Sequence, residues 1–320
     1  MGQIGSSEAR EDLILTREGI HQINDAVYEL HAPAGVPDVE IVFFHGLQPF
    51  DYKDAHWQTW LTGAKNSNEL WPQTWLPRDF RSARILSISY DSSAQEGSAA
   101  GRTDMFLIGE NLVQNIVLSK DAHVGQTANC PVIFVGHSLG GLVIKKVILS
   151  ARKKLDQLSP KRAHNVQDVA KLESFLQNIK GVFYFATPHQ GSSMADVAKM
   201  TDFIKVLPQR SEVLKFLTVL NKEGARLNDE FRVWRENNNV RAWTLFELLP
   251  TIFAGFGKIV VEEGSARFDA DKFYGAQEDH ISICKLEKQS STSYQFFTEF
   301  ITECTGLDKR MHQEDDSLIV

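Results

Sequence analysis

Apolar residues in this chain gather into short continuous runs, and between the runs they recur at helical spacing. The runs fall at 26–31, 39–44 (VEIVFF), 84–90 (RILSISY), 131–136 (PVIFVG), 180–186 (KGVFYFA), 240–246 and 258–261. Each is short enough for a strand, and several are apolar at nearly every position. That pattern suits a parallel sheet covered on both faces. Between them, Ile108, Leu112 and Ile116 recur every fourth residue and predict one apolar helix stripe. Residues 142–154 read as a helix whose basic end, Lys153 and Lys154, complements the helix dipole. Residues 165–179 and 194–207 also read as helical, and Tyr294, Phe297, Ile301 and Cys304 line one face of a last helix. Strands alternating with crossover-sized helices predict an α/β fold with a mostly parallel central sheet and helices on both faces.

The domain layout follows. A flexible N-terminal segment is expected over 1–20, one α/β domain over 21–306, and a polar tail over 307–320. Residues 191–239 are long for a single crossover, so they predict either a helical lid or ordinary sheet-covering helices.

The chain has 320 residues, 42% of them hydrophobic and 23% charged, the balance of an ordinary folded protein. Lys and Arg total 34 against 41 Asp and Glu, a net charge of −7, which lacks the basic footprint of a nucleic-acid binder. The three cysteines, Cys130, Cys284 and Cys304, are far apart and form no CxxC, so neither a disulfide framework nor a zinc site is expected. A reducing, cytoplasmic setting fits them. The greasiest stretch, 242–261, is interrupted by Glu247, Pro250 and Lys258, and no run reaches the ~20 residues that cross a bilayer. No secretory h-region is present. Met1-Gly2-Gln3-Ile4-Gly5-Ser6 fits the myristoylation pattern at Gly2, with a flexible Gly/Ser start as the alternative. One acyl chain would give only marginal peripheral contact with an intracellular membrane.

The candidate chemistry begins at Gly136-His137-Ser138-Leu139-Gly140-Gly141. This G-x-S-x-G starts where the strongest strand ends and runs directly into a helix. That is the context of a nucleophile elbow, in which Ser138 stands on a tight turn above the sheet. His45-Gly46-Leu47 follows the VEIVFF strand, where an oxyanion-binding loop belongs in such a fold. The backbone N–H groups of Leu47 and Leu139 are therefore the expected oxyanion donors. Chain order Ser–acid–His puts the base near the C-terminal end. His312 lies in the polar tail, which leaves His280 in Glu278-Asp279-His280-Ile281. Glu247 closes the VRAWTLFE run and is the expected acid. Glu262 and Glu263, after the KIVV run, compete with it, and Asp279 is next to His280. GxGxxG, GxxxxGK[ST] and HExxH are missing from the sequence, so no nucleotide, cofactor or metal is called for.

VYELHAP, DVEIVFFHGL, TWLPRDFRSARILSISYDS, GHSLGGLVIKK, FATPHQGSS and DHISICK together carry a resemblance over about residues 27–300. The chain resembles the α/β-hydrolase superfamily, and within it the lipase-like family of the serine active site-containing proteins and the GPI-inositol-deacylase-like lipases. The resemblance implies an ester or lipid hydrolase, or an acyl transferase, acting on an acyl ester or phospholipid-like substrate, with members linked to lipid remodelling at intracellular membranes. It implies a Glu at the end of the 240–246 strand, which supports Glu247, and a Thr187-Pro188-His189 turn near the site. Many lipases carry Asp-Gly before a Val-Val-Pro run. Lys258-Ile259-Val260-Val261-Glu262 stands here without that Asp, which argues against a triad acid at that spot. A reading of another class keeps the fold but leaves the triad idle, as a binding or scaffold domain in signalling or lipid sensing.

Overall fold

The computed structural model describes residues 19–48, 53–92, 105–158, 166–189, 210–253 and 256–309. The central sheet is built from β1 (His21–Gln22), β2 (Val27–His31), β3 (Val39–Phe44), β4 (Ala83–Ile88), β5 (Val132–His137), β6 (Ile179–Phe185), β7 (Arg241–Glu247) and β10 (Lys272–Ala276). β8 (Thr251–Phe253) and β9 (Phe256–Lys258) form a separate antiparallel hairpin. The five principal helices are α1 (Met105–Val113), α2 (Leu139–Gln157), α3 (Val166–Asn178), α4 (Arg210–Asn237) and α5 (Thr292–Thr305).

Strand order across the sheet is β1-β2-β4-β3-β5-β6-β7-β10. β1 and β2 pair antiparallel with each other, and β2 pairs antiparallel with β4. Every later neighbour is parallel. This is the α/β-hydrolase fold.

Side chains alternate between two apolar cores, as the two-residue period of a strand requires. On β3, Val42 and Phe44 face one core while Val39, Ile41 and Phe43 face the other. β5 repeats this, with Val132 and Phe134 opposite Ile133 and Val135. The first core is closed by α1, α2, α3 and the second half of α4, through Ile108, Val143, Phe175 and Phe231 among others. The second is closed by α5 and by an aromatic wall that includes Trp60, Trp71 and Trp75. Helix α5 starts at Ser291, whose hydroxyl accepts from the Tyr294 N–H, and stops at Gly306 in the left-handed conformation.

The run at 258–261 is not a strand of this sheet. Only Lys258 is paired, in the small hairpin, while Val260 and Val261 are buried outside any strand. The last sheet strand is β10, KFYGA, which periodicity did not reveal. It lies at the sheet edge, where Lys272 and Phe273 stay exposed, so no continuous apolar run was needed. In the 191–239 segment, Leu227, Phe231 and Trp234 on α4 are buried against the core, as in a helix that covers a sheet. The helix expected at 194–207 lies outside the described residues, as do Gly2, most of the 1–20 segment and residues 310–320 of the tail.

Candidate active site

β5 ends at His137 and α2 begins at Leu139, so Ser138 must reverse the chain alone. It does so at φ 51° and ψ −123°, a conformation that costs a non-glycine residue on the order of 1–3 kcal/mol. The surrounding structure holds it there. The Ser138 N–H donates to the carbonyl of Phe185 at the end of β6, 2.9 Å away. Close packing behind the turn demands glycine: a Cβ on Gly140 would lie 2.3 Å from the Phe44 carbonyl oxygen. Ser138 thus sits at the positive end of the α2 dipole, where negative charge is favoured.

His280 Nε2 is 2.9 Å from Ser138 Oγ, and His280 Nδ1 is 2.7 Å from Glu247 Oε2. All three side chains are buried. Glu247 ends β7 and His280 follows β10, the neighbouring parallel strand. Leu248 N–H to the Ala276 carbonyl and Leu249 N–H to the Glu278 carbonyl continue that pairing into the two loops. Glu247 Oε1 accepts from the backbone N–H groups of Val260 and Val261. One carboxylate oxygen is therefore spent on the backbone and the other faces the imidazole.

The other acids sit elsewhere. Glu262 and Glu263 are exposed, and Glu263 pairs with Arg267. Asp279 caps its own turn by accepting from the Ile281 and Ser282 N–H groups.

Four supports of the His280–Glu247 pair were not visible to sequence reasoning as site residues, and two of them, Thr251 and His137, bond the His280 backbone. The His280 N–H donates to Thr251 Oγ1 at 3.0 Å, and the His280 carbonyl accepts from His137 Nε2 at 2.8 Å. Burial and the neighbouring His280 ring hold the His137 pKa down at about 3, so that ring is neutral and its one N–H lies on Nε2, facing the carbonyl. The Val260 and Val261 N–H groups complete the set. Only His137 carried a signal, its place inside the G-x-S-x-G run.

The loop after β3 runs beside the elbow. A Cβ on Gly46 would lie 3.0 Å from Ser138 Cβ. Among the described residues no acceptor meets the Leu47 N–H, and the N–H of Leu139, first in its helix, has no intrahelical acceptor. The Thr187-Pro188-His189 turn packs behind the elbow, with Thr187 Oγ1 against Gly141. His189 is fully buried, and its carbonyl accepts from Asn228 Nδ2. Asn228 Oδ1 in turn accepts from the buried Lys145 Nζ at 2.7 Å. Burial pushes that lysine down to about 7.

The described residues hold no cluster of metal-ligating side chains and no helix long and apolar enough to cross a membrane. Cys130, Cys284 and Cys304 are free thiols, each pushed up to about 12 by burial.

Residues 41–250 match the family model described as "Putative serine esterase (DUF676)". The chain belongs to this family. Among curated relatives of this esterase-family chain, Protein SERAC1 of Bos taurus is 27% identical over 95% of the chain. Protein SERAC1 of Danio rerio is 28% identical over 94% of it. The chain spans 45% of the length of each. Among solved structures, a carboxylesterase of the thaumarchaeon Nitrososphaera gargenis aligns over 88% of this chain and 96% of its own, at 10% identity and a TM-score of 0.48. Carboxylesterase CesB of Bacillus subtilis aligns over 87% of both chains at 10% identity, with a TM-score of 0.43.

Proposed function

We propose that this chain is a serine esterase of the lipase type, which hydrolyses a lipid-like acyl ester or transfers its acyl group. The observation that carries the reading is the unbroken hydrogen-bonded line from Ser138 Oγ through the His280 imidazole to Glu247, standing on a strand–turn–helix elbow.

In this reading Ser138 Oγ attacks the ester carbonyl while His280 Nε2 takes its proton. Glu247 holds the His280 proton on Nδ1, so that Nε2 presents a lone pair to the serine, and it stabilises the imidazolium that forms. The oxyanion of the tetrahedral intermediate is received by the Leu47 and Leu139 N–H groups. Its collapse breaks the ester C–O bond, and His280 returns the proton to the departing alkoxide. Water, or an acceptor alcohol in the transferase variant, then gives its proton to His280 and attacks the acyl-enzyme. Ser138 leaves as the restored hydroxyl.

A lipid-like acyl group is favoured by the apolar residues around this line. Leu248, Leu249, Ile252 and Ile281 are 42%, 42%, 66% and 44% exposed, beside Glu247 and His280. A setting inside the cell, with peripheral contact at an intracellular membrane, accords with the free cysteines and with the myristoylation pattern at Gly2.

Labelling with a fluorophosphonate probe tests the reading without knowledge of the substrate. Wild type is expected to label, and Ser138→Ala and His280→Ala are expected not to. Folded wild type that resists the probe would overturn the reading and leave a binding or scaffold domain.

A further inference from the structure

The oxyanion loop is held from one side by a buried polar group that no step of the proposed reaction uses. β3 and β4 are parallel neighbours that end level, Phe44 opposite Ile88, so their following residues lie side by side. Gly46 O accepts two hydrogen bonds there, from His45 Nδ1 at 2.9 Å and from Ser92 Oγ at 3.0 Å. The Tyr90 hydroxyl donates to His45 O, and the two rings stack at 4.3 Å with 9° between their planes. Tyr90 N–H faces His45 Nε2 at 3.4 Å, and Gln48 N–H donates to Ser92 O at 3.2 Å.

These contacts agree on one tautomer. Tyr90 N–H needs a lone pair on Nε2, so the His45 proton lies on Nδ1, where it can reach Gly46 O. Burial supports the neutral ring by pushing His45 down to about 4.

The next link is the geometry of one peptide unit. Gly46 O and the Leu47 N–H belong to the same peptide, and none of the described peptides is cis. In a planar trans unit the C=O and N–H point in opposite directions. Two donors fixing Gly46 O on the β4 side therefore fix the direction of the Leu47 N–H on the far side. They also polarise the unit, which makes that N–H a better donor.

We propose that His45, Tyr90 and Ser92 are positioning residues for the oxyanion donor: they lock and polarise the Gly46–Leu47 peptide so that the Leu47 N–H is aimed before substrate arrives. None of them touches the reacting atoms. The proposal rests on Ser138 being the nucleophile.

The test uses the full 320-residue chain with a soluble p-nitrophenyl ester. Removing one oxyanion donor outright costs ~10²–10³ in kcat. Loss of one of the two bonds that aim it should cost less. Ser92→Ala is expected to lower kcat ~10-fold with KM and Tm little changed, and Ser92→Thr to regain most of that loss. Tyr90→Phe is expected to act in the same direction, and the Ser92→Ala/Tyr90→Phe double variant to approach ~100-fold. A boronic acid, which mimics the tetrahedral state, separates aim from general loosening. Its affinity should fall in step with kcat/KM across the variants while KM stays level.

An active wild type with unchanged kcat and boronate affinity in Ser92→Ala and Tyr90→Phe overturns this proposal alone. So does a loss of kcat accompanied by a comparable fold rise in KM and a lowered Tm. A folded wild type that neither hydrolyses esters nor reacts with fluorophosphonate overturns it together with the esterase reading.

Discussion

Glu247→Gln should abolish most activity while leaving the fold intact, and the two oxygens of Glu247 say why. Oε1 is held by the Val260 and Val261 N–H groups, and Oε2 faces His280 Nδ1. A glutamine has only one acceptor oxygen. Turning its NH2 toward Val260 and Val261 would set donors against two buried donors, at a cost of about 1–3 kcal/mol for each unpaired group. The oxygen will therefore stay with the backbone and the NH2 will face His280. Nδ1 must then accept, the ring proton moves to Nε2, and Nε2 can no longer take the Ser138 proton. A wrong tautomer of this kind lowers kcat by about 10⁴, equivalent to about 5 kcal/mol of barrier.

Glu247→Ala separates the two duties of the residue. It strands both N–H groups, so a stability loss on the order of 2–6 kcal/mol should accompany the activity loss. The assay is ester hydrolysis and the rate of fluorophosphonate labelling, with urea unfolding of each variant alongside. Glu247→Gln retaining more than a tenth of wild-type kcat, with folding unchanged, would refute the tautomer argument. A large loss in Glu262→Gln instead would move the acid to that position.

Gly140→Ala forces a methyl group to within 2.3 Å of the Phe44 carbonyl oxygen, and since backbone on both sides must yield, destabilisation by about 2–4 kcal/mol is expected in urea unfolding. The buried His56 has its pKa lowered to about 4 by burial, while the unfolded chain takes up that proton near 6.5. The unfolded state thus binds the extra proton below pH 6.5, and stability falls as pH drops from 6.5 toward 4. Replacing the ring that stacks on Tyr28 by His56→Phe should make the loss between pH 7.5 and pH 5 smaller by about 2 kcal/mol. An unchanged pH dependence in that variant would show that His56 titrates normally.

The central strands were legible because they are buried on both faces. β3, β5, β6 and β7 had to be apolar nearly throughout. β10 was not legible, because one edge and part of its surface are in water, which relaxes the demand on Lys272 and Phe273. The run Ile259-Val260-Val261 misleads for a related reason: burial makes residues apolar whether or not they pair in a sheet. Ser138, His280 and Glu247 could be proposed together because each closes or follows a strand in a fixed chain order. Their supports could not. The Val260 and Val261 donors are backbone groups that any residue other than proline supplies. Tyr90 and Ser92 matter only because β4 lies beside β3, a neighbourhood set by the whole sheet.

The separation of 142 positions between Ser138 and His280 has a consequence for synthesis. At about 5–20 residues per second, roughly 7–28 s pass between the emergence of the serine and that of the histidine. In the proposed mechanism the elbow has no base during that interval, and its serine is an ordinary alcohol. The pairing of β7 with β10, which brings Glu247 and His280 together, must wait until β10 has been made. In that mechanism a nascent or truncated chain ending before His280 carries the serine motif without the means to activate it. The proposed reactivity thus waits for the pairing of β7 with β10.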